Sequence, residues 1–108
     1  MAKTPSPKPK VKTDMRKDDD STWTLLTNHG RILLLIAKEP EIRIRDLAEA
    51  AELTERRAQA IVTDLEHAGY IKKIKDGRRN IYSVNGQRPF RHAAESGHKV
   101  SELIKLFA

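Results

Sequence analysis

Apolar side chains recur at helical spacing over a stretch that ends near Lys38. Thr27 and Asn28 are good capping residues for its start. Pro40 ends the stretch, because the residue before a proline is pushed out of the helical region. Within it, Ile32–Ala37 is apolar on nearly every side. A helix with this pattern is either central to a core or shared with a partner chain.

Two further helices with a tight turn between them are predicted downstream. Residues 42–44 alternate as a short strand would, and a helix over about 45–51 follows them. Thr54 is a good N-cap for the next helix, over 55–68, and Gly69 suits the position just after its end. The pattern therefore predicts a strand, a helix, a turn and a second helix in close succession.

A hairpin follows the last of these helices. Residues 70–75 and 80–84 alternate like strands around Asp76-Gly77, a pair suited to a tight turn with positive φ. With a helix at the C-terminus, the predicted order is α-β-α-α-β-β-α. This is a mainly α fold with a small β-hairpin (α+β), and the order is typical of a winged helix-turn-helix domain, which we place at residues 21–84.

The two ends of the chain differ in composition from the predicted domain. Residues 1–20 mix Pro, Lys, Thr and Asp with few large apolar side chains, so we expect a disordered tail. Residues 85–97 are predicted to be a loop, and 98–108 a helix too short to be stable alone. Since the first and last helices carry more apolar surface than one small core needs, we expect a homodimer. The side chains predicted to form its interface are Leu34, Val100, Leu103, Ile104 and Phe107.

Composition narrows the class of protein further. A chain of 108 residues allows one small domain, and the lack of cysteine excludes disulfides and thiolate metal sites. The longest apolar run, Ile32–Ala37, falls far short of the roughly 20 residues that span a bilayer, and we find no secretory signal. We therefore expect a cytoplasmic, nucleoid-associated protein without a membrane partner.

Positive charge is concentrated in the predicted hairpin. The whole chain has a net charge of +6, and residues 72–79 alone hold five basic side chains against Asp76. A compact basic patch is the electrostatic signature of a polyanion partner. Lys and Arg around a slim turn can reach phosphates or enter a minor groove. The predicted contacts to the DNA backbone are Thr54, Arg57, Lys73, Lys75, Arg78 and Arg79.

The helix over 55–68 has two chemically different faces. At about 100° per residue, Ala58, Ile61, Val62 and Leu65 share one side, which we predict faces the core. The opposite side carries the residue types that read base edges in a major groove: Arg pairs with guanine, Gln with adenine, and Ala or a Thr methyl contacts thymine. The predicted base-reading residues are Arg56, Gln59, Ala60 and Thr63.

These features together resemble a known group of proteins. Leu47-Ala48, Leu53-Thr54, Ala58 and Ile61 match the spacing of helix-turn-helix core positions, and AGYIKK…DGRRNIYSV resembles the helix end and wing of MarR- and ArsR-type regulators. The resemblance implies a dimeric prokaryotic transcriptional regulator that binds a palindromic operator. Glu52 replaces the glycine common in the turn, where a positive φ costs a non-glycine residue roughly 1 kcal/mol.

Other functions are weaker predictions from this sequence. We find no catalytic motif, so an enzyme is not expected, and no cofactor is predicted. His92, Glu95 and His98 match no standard metal site, and a small-molecule effector is not indicated. Two alternatives to a sequence-specific regulator that acts as a repressor stay open. One is a winged-helix module that binds proteins, and the other is nucleoid-type DNA binding without sequence preference.

Overall fold

The computed structural model describes residues 23–108, so the predicted tail at 1–20 lies outside the described residues. Four helices and one hairpin follow in the order α1, α2, α3, β1, β2, α4. Their bounds are α1 Asn28–Lys38, α2 Ile44–Ala51, α3 Glu55–His67, β1 Ile71–Asp76, β2 Arg79–Val84 and α4 Val100–Phe107. The fold is that of a winged helix-turn-helix, mainly helical with one antiparallel hairpin.

Local capping explains where the helices begin and end. The Thr27 hydroxyl accepts a hydrogen bond from the Gly30 N–H at the start of α1. The Thr54 hydroxyl accepts one from the Arg57 N–H at the start of α3, 3.0 Å away. Gly69 follows the end of α3 with a φ of 83°, a conformation that glycine adopts without steric cost. These caps agree with the sequence prediction.

The segment predicted as a strand before α2 is not one, which corrects the expected element order. Ile42 is buried, Arg43 is the N-cap of α2, and Ile44 is already the first residue of that helix. The backbone bond to β2 lies just before this segment and runs from the Tyr82 N–H to the Pro40 carbonyl. Proline has no N–H to extend the ladder, and the chain enters α2 four residues later, so the described sheet has two strands.

The hairpin turn lies one residue further along than Asp76-Gly77. Asp76 pairs with Arg79 as the last rung of the ladder, which leaves Gly77 and Arg78 as the two loop residues. Gly77 has a φ of 65°, as a type II′ turn requires at its first loop position.

One hydrophobic core joins the three helices of the domain to the hairpin and to α4. α3 contributes its predicted face, Ala58, Ile61, Val62 and Leu65, each buried. Tyr70, Ile71 and Tyr82 close the core from the hairpin side. Fifteen buried side chains form the cluster, and every one of them is apolar or aromatic. This core fixes the orientation of α3, and hence of its opposite face.

The C-terminal helix packs on the domain rather than projecting from it. Val100, at its start, is 1% exposed within the single chain, so it belongs to the intramolecular core. This burial removes Val100 from the predicted dimer interface, because its side chain has no surface left to offer a partner. The Lys99 N–H donates to the Glu102 carboxylate at 2.9 Å and caps the helix. That bond, with the one from His98, keeps the pKa of Glu102 below its ordinary value.

Candidate nucleic-acid interface

A three-residue turn sets the angle between α2 and α3. Glu52 adopts the left-handed conformation, with φ 60° and ψ 45°, and is the only non-glycine residue with positive φ between residues 23 and 108. The Leu53 N–H donates to the backbone carbonyl of Ala48 at 2.8 Å, and the Leu53 side chain packs on the core. Thr54 then starts α3. The expected positive φ at Glu52 is therefore present.

The outer face of α3 is open to solvent over its N-terminal half. Arg56, Gln59 and Ala60 are exposed, and Thr63 is half-buried. The Gln59 amide lies 3.4 Å from the Thr63 hydroxyl, a long hydrogen bond that leaves the amide available to another partner. The four predicted base-reading residues thus lie on the side of α3 turned away from the core.

The wing presents a mostly exposed, basic surface. Lys72, Lys73, Lys75 and Arg78 are exposed, and Arg78 occupies the loop itself. Ladder pairing brings Ile74 opposite Ile81 on the face that does not pack on the core, and Ile74 is 50% exposed. The basic side chains therefore lie on an exposed hairpin, and the buried side chains of Ile71 and Tyr82 pack the base of this hairpin on the core.

Arg79, at the start of β2 in the wing, has an intramolecular partner. Its guanidinium donates to the Glu41 carbonyl at 3.2 Å and lies 3.6 Å from the Glu41 carboxylate. Half of the side chain stays exposed, and a surface pair of this kind contributes little to stability. The contact ties the wing to the segment before α2, and a phosphate would compete with Glu41 for the same guanidinium.

Two arginines that are not among the predicted DNA contacts lie at the start of α2. Arg43 and Arg45 flank the first residue of α2 and are both exposed. In helix-turn-helix proteins the first helix of the motif crosses the DNA backbone. The alternation at 42–44 predicts a strand and so places Arg43 on the wrong element, since in the structure Arg43 is the N-cap of α2.

A second side-chain contact joins α3 to α1. The His29 imidazole lies 2.9 Å from the Asp64 carboxylate, across 35 positions of sequence. This hydrogen bond is the main reason that the pKa of Asp64 falls below its ordinary value, with smaller contributions from the charges of Arg57 and His67. Both side chains are substantially exposed, so the bond orients α3 more than it stabilises the fold.

The remaining residues predicted for the dimer interface lie on α1 and α4. Leu103 and Ile104 are half-buried on α4, Leu34 is half-buried on α1, and Phe107 is 50% exposed. Among residues 23–108, no group of three or more His, Asp or Glu side chains is arranged to hold a metal ion. His98 is hydrogen-bonded instead to Glu102 at 2.7 Å.

Comparison with known proteins agrees with this geometry. Residues 25–72 match the model of a family of winged helix-turn-helix DNA-binding domains. The matched region begins just before α1, includes all of α2 and α3, and ends in β1. The match supports DNA binding by a winged-helix protein.

No curated protein matches the chain significantly. In the described part of the chain, each helix is too short or too polar to cross a membrane.

Proposed function

We propose that this protein is a homodimeric transcriptional regulator that binds double-stranded DNA sequence-specifically and represses by occluding a promoter. One observation carries the proposal. The face of α3 opposite the core is exposed and bears Arg56 and Gln59, and α3 packs against β1 of the basic wing. Regulation of this kind works by occupancy, needs no catalytic step or cofactor, and takes place at the nucleoid.

α3 would enter the major groove with its N-terminal half deepest. Arg56 would pair with guanine and Gln59 with adenine, each through two hydrogen bonds, while Ala60 and the Thr63 methyl would contact thymine methyl groups. His67 is the last residue of α3 and therefore lies at the end of the helix away from the N-terminal half. The exposure of Arg56, Gln59 and Ala60 supports this assignment, since base readers need free polar atoms.

Phosphate contacts would fix the register of α3 in the groove. Lys73, Lys75, Arg78 and Arg79 would come from the wing, and Thr54 and Arg57 from the start of α3. The exposure of Arg43 and Arg45 at the start of α2 supports adding them to this set. Together these residues would surround the reading face with positive charge, which raises the association rate and the affinity for every DNA sequence.

The apolar surface of the terminal helices supports a dimer. Leu106 is 77% exposed and Phe107 50% exposed at the end of α4, beside the half-buried Leu103 and Ile104. Leu34 would add to this surface from α1. A symmetric pair of subunits would place two copies of α3 about 10 base pairs apart on a palindromic site. The proposal assigns the protein to the MarR- and ArsR-like regulators that the sequence resembles.

The test is selection of binding sites from a random DNA pool, followed by titration of the selected and scrambled duplexes across a salt series. A palindromic selected site, bound at least about a thousandfold more tightly than scrambled DNA, is expected of a specific regulator. The spacing of its half-sites would report the dimer geometry.

Two outcomes would contradict the proposal. Steeply salt-dependent binding without an enriched site would indicate nucleoid-type binding dominated by phosphates. Lack of binding at low salt, with the fold intact, would indicate a module for protein–protein interaction. Sedimentation equilibrium that shows a monomer throughout the concentration range would contradict the dimer alone.

A further inference from the structure

The two long polar side chains among the proposed base readers differ in how they are held. The Gln59 amide donates a hydrogen bond to the Thr63 hydroxyl, with 3.4 Å between Nε2 and Oγ1. The Arg56 guanidinium, on the preceding turn of α3, has no hydrogen-bond or ion-pair partner within residues 23–108. The Gln59 amide is therefore oriented before any DNA binds, whereas the Arg56 guanidinium is not.

Thr63 is well suited to hold the Gln59 amide. It is half-buried, and it follows Val62, which is fully buried in the core. A threonine side chain in a helix is restricted to about two χ1 rotamers, because it branches at Cβ. Residues four positions apart lie on the same side of a helix, with their Cβ atoms roughly 5–6 Å apart. The Thr63 hydroxyl is therefore a partner that moves little.

This hydrogen bond changes what the Gln59 amide can offer to a base. A glutamine amide carries two N–H donors and one carbonyl acceptor. With one N–H donated to Thr63, one N–H and the Oε1 carbonyl remain. In the major groove adenine presents one acceptor, N7, beside one donor, the N6 amino group, whereas guanine presents two acceptors, N7 and O6. The remaining pair of groups matches adenine, and it would place Oε1 against the O6 of a guanine.

We propose that Thr63 is a positioning residue that makes Gln59 specific for adenine over guanine. The proposal rests on the proposed binding of α3 in the major groove. The Thr63 hydroxyl occupies the second N–H donor that a guanine requires, and it orients the other N–H and Oε1 toward the base pair. This role belongs to the hydroxyl, and the proposed contact of the Thr63 methyl group with thymine is independent of it.

The test compares variants of Thr63 at the base pair that Gln59 reads, which is the one where Gln59→Ala loses discrimination on the selected duplex. Fluorescence anisotropy measures the affinity for duplexes with A·T and with G·C at this position. Thr63→Val preserves the shape of the side chain and removes the hydroxyl. The preference for adenine is expected to fall about two- to tenfold, the range that one neutral hydrogen bond contributes.

Thr63→Ser is the matched control, because it retains the hydroxyl and is expected to retain most of the preference for adenine. The base pair read by Arg56 is a second control within the same complex. Thr63→Val should leave discrimination there unchanged, whereas a displacement of the whole helix would alter discrimination at both base pairs. Since Thr63 is half-buried, circular dichroism and urea denaturation of each variant would confirm an intact fold.

Several results would overturn the positioning role of Thr63 while leaving sequence-specific binding intact. These are an unchanged preference for adenine in Thr63→Val, a base other than adenine at the position read by Gln59, and equal losses in Thr63→Val and Thr63→Ser. Equal losses at the base pairs read by Gln59 and Arg56 would overturn it too, because packing rather than the hydroxyl would then be the cause. A wild-type protein without a preferred site would contradict the proposed function itself, and the positioning role with it.

Discussion

The two faces of α3 differ in burial, in chemistry and in what they determine. Ile61 and Val62 are fully buried, whereas Arg56 and Gln59, on the same 13-residue helix, are exposed. The buried face holds the helix in the domain, and the exposed face is free to vary without cost to the core. Stability and the proposed DNA recognition are therefore separable within one helix, and substitutions on each face test that separation.

The largest expected effect comes from the buried face. Ile61→Ala should lower the free energy of unfolding by about 2–5 kcal/mol, because it removes apolar contacts and leaves a cavity in the core. Urea denaturation followed by circular dichroism measures this. Gln59→Ala, two positions away on the exposed face, should change the same free energy by less than about 0.5 kcal/mol. Similar losses for both variants would contradict the assignment of the faces.

On the exposed face the effect should appear in DNA binding instead. Arg56→Ala and Gln59→Ala should each lose about 1–3 kcal/mol of discrimination between the selected site and its single-base variants. Fluorescence anisotropy at fixed salt measures this, with Lys105→Ala, an exposed position on α4, as the control. Unchanged sequence preference in folded variants would show that α3 does not read bases.

The wing should contribute affinity rather than discrimination. Arg78→Ala is expected to weaken selected and scrambled DNA equally, and to reduce the slope of log affinity against log salt by about 0.9 if one phosphate contact is lost. The salt series used for the wild-type protein measures both quantities. A loss confined to the selected site would instead make Arg78 a base reader.

The smallest effect concerns the bond that joins α3 to α1. Because the folded-state pKa of Asp64 lies below its ordinary value of 3.8, the bond to His29 stabilises the fold above that pH. Its contribution is lost as pH falls through the lowered pKa. Asp64→Asn should therefore flatten the decline of stability on acidification, and His29→Gln should add nothing further. Thermal unfolding between about pH 2 and pH 6 measures both, and additive effects of the two substitutions would contradict the coupling.

Features governed by neighbouring residues were predictable from the sequence. The Thr54 cap, the Gly69 stop and the positive φ at Glu52 each depend on a few adjacent positions, and all three are present. The core face of α3 was predictable as well, because helical periodicity alone determines which side chains share a side.

Features that depend on distant parts of the chain were not predictable. The alternation of Ile42 and Ile44 is typical of a strand, yet in the structure β2 forms its backbone bond with Pro40 and Ile44 already belongs to α2. Val100 fits a dimer stripe in sequence but is buried by its own chain. The His29–Asp64 bond joins residues 35 positions apart, and local patterns carry no signal for such a contact.

The most direct test of the central claim is to locate α3 on bound DNA. The chain lacks cysteine, so Glu55→Cys at the start of α3 and Lys105→Cys on α4 each provide one site for a tethered iron–EDTA cleavage reagent. The reagent attached at position 55 is expected to cleave the selected duplex within each half-site, and the reagent attached at position 105 is expected to cleave it little. Cleavage of equal strength and position from both sites, or none from position 55, would contradict the central claim.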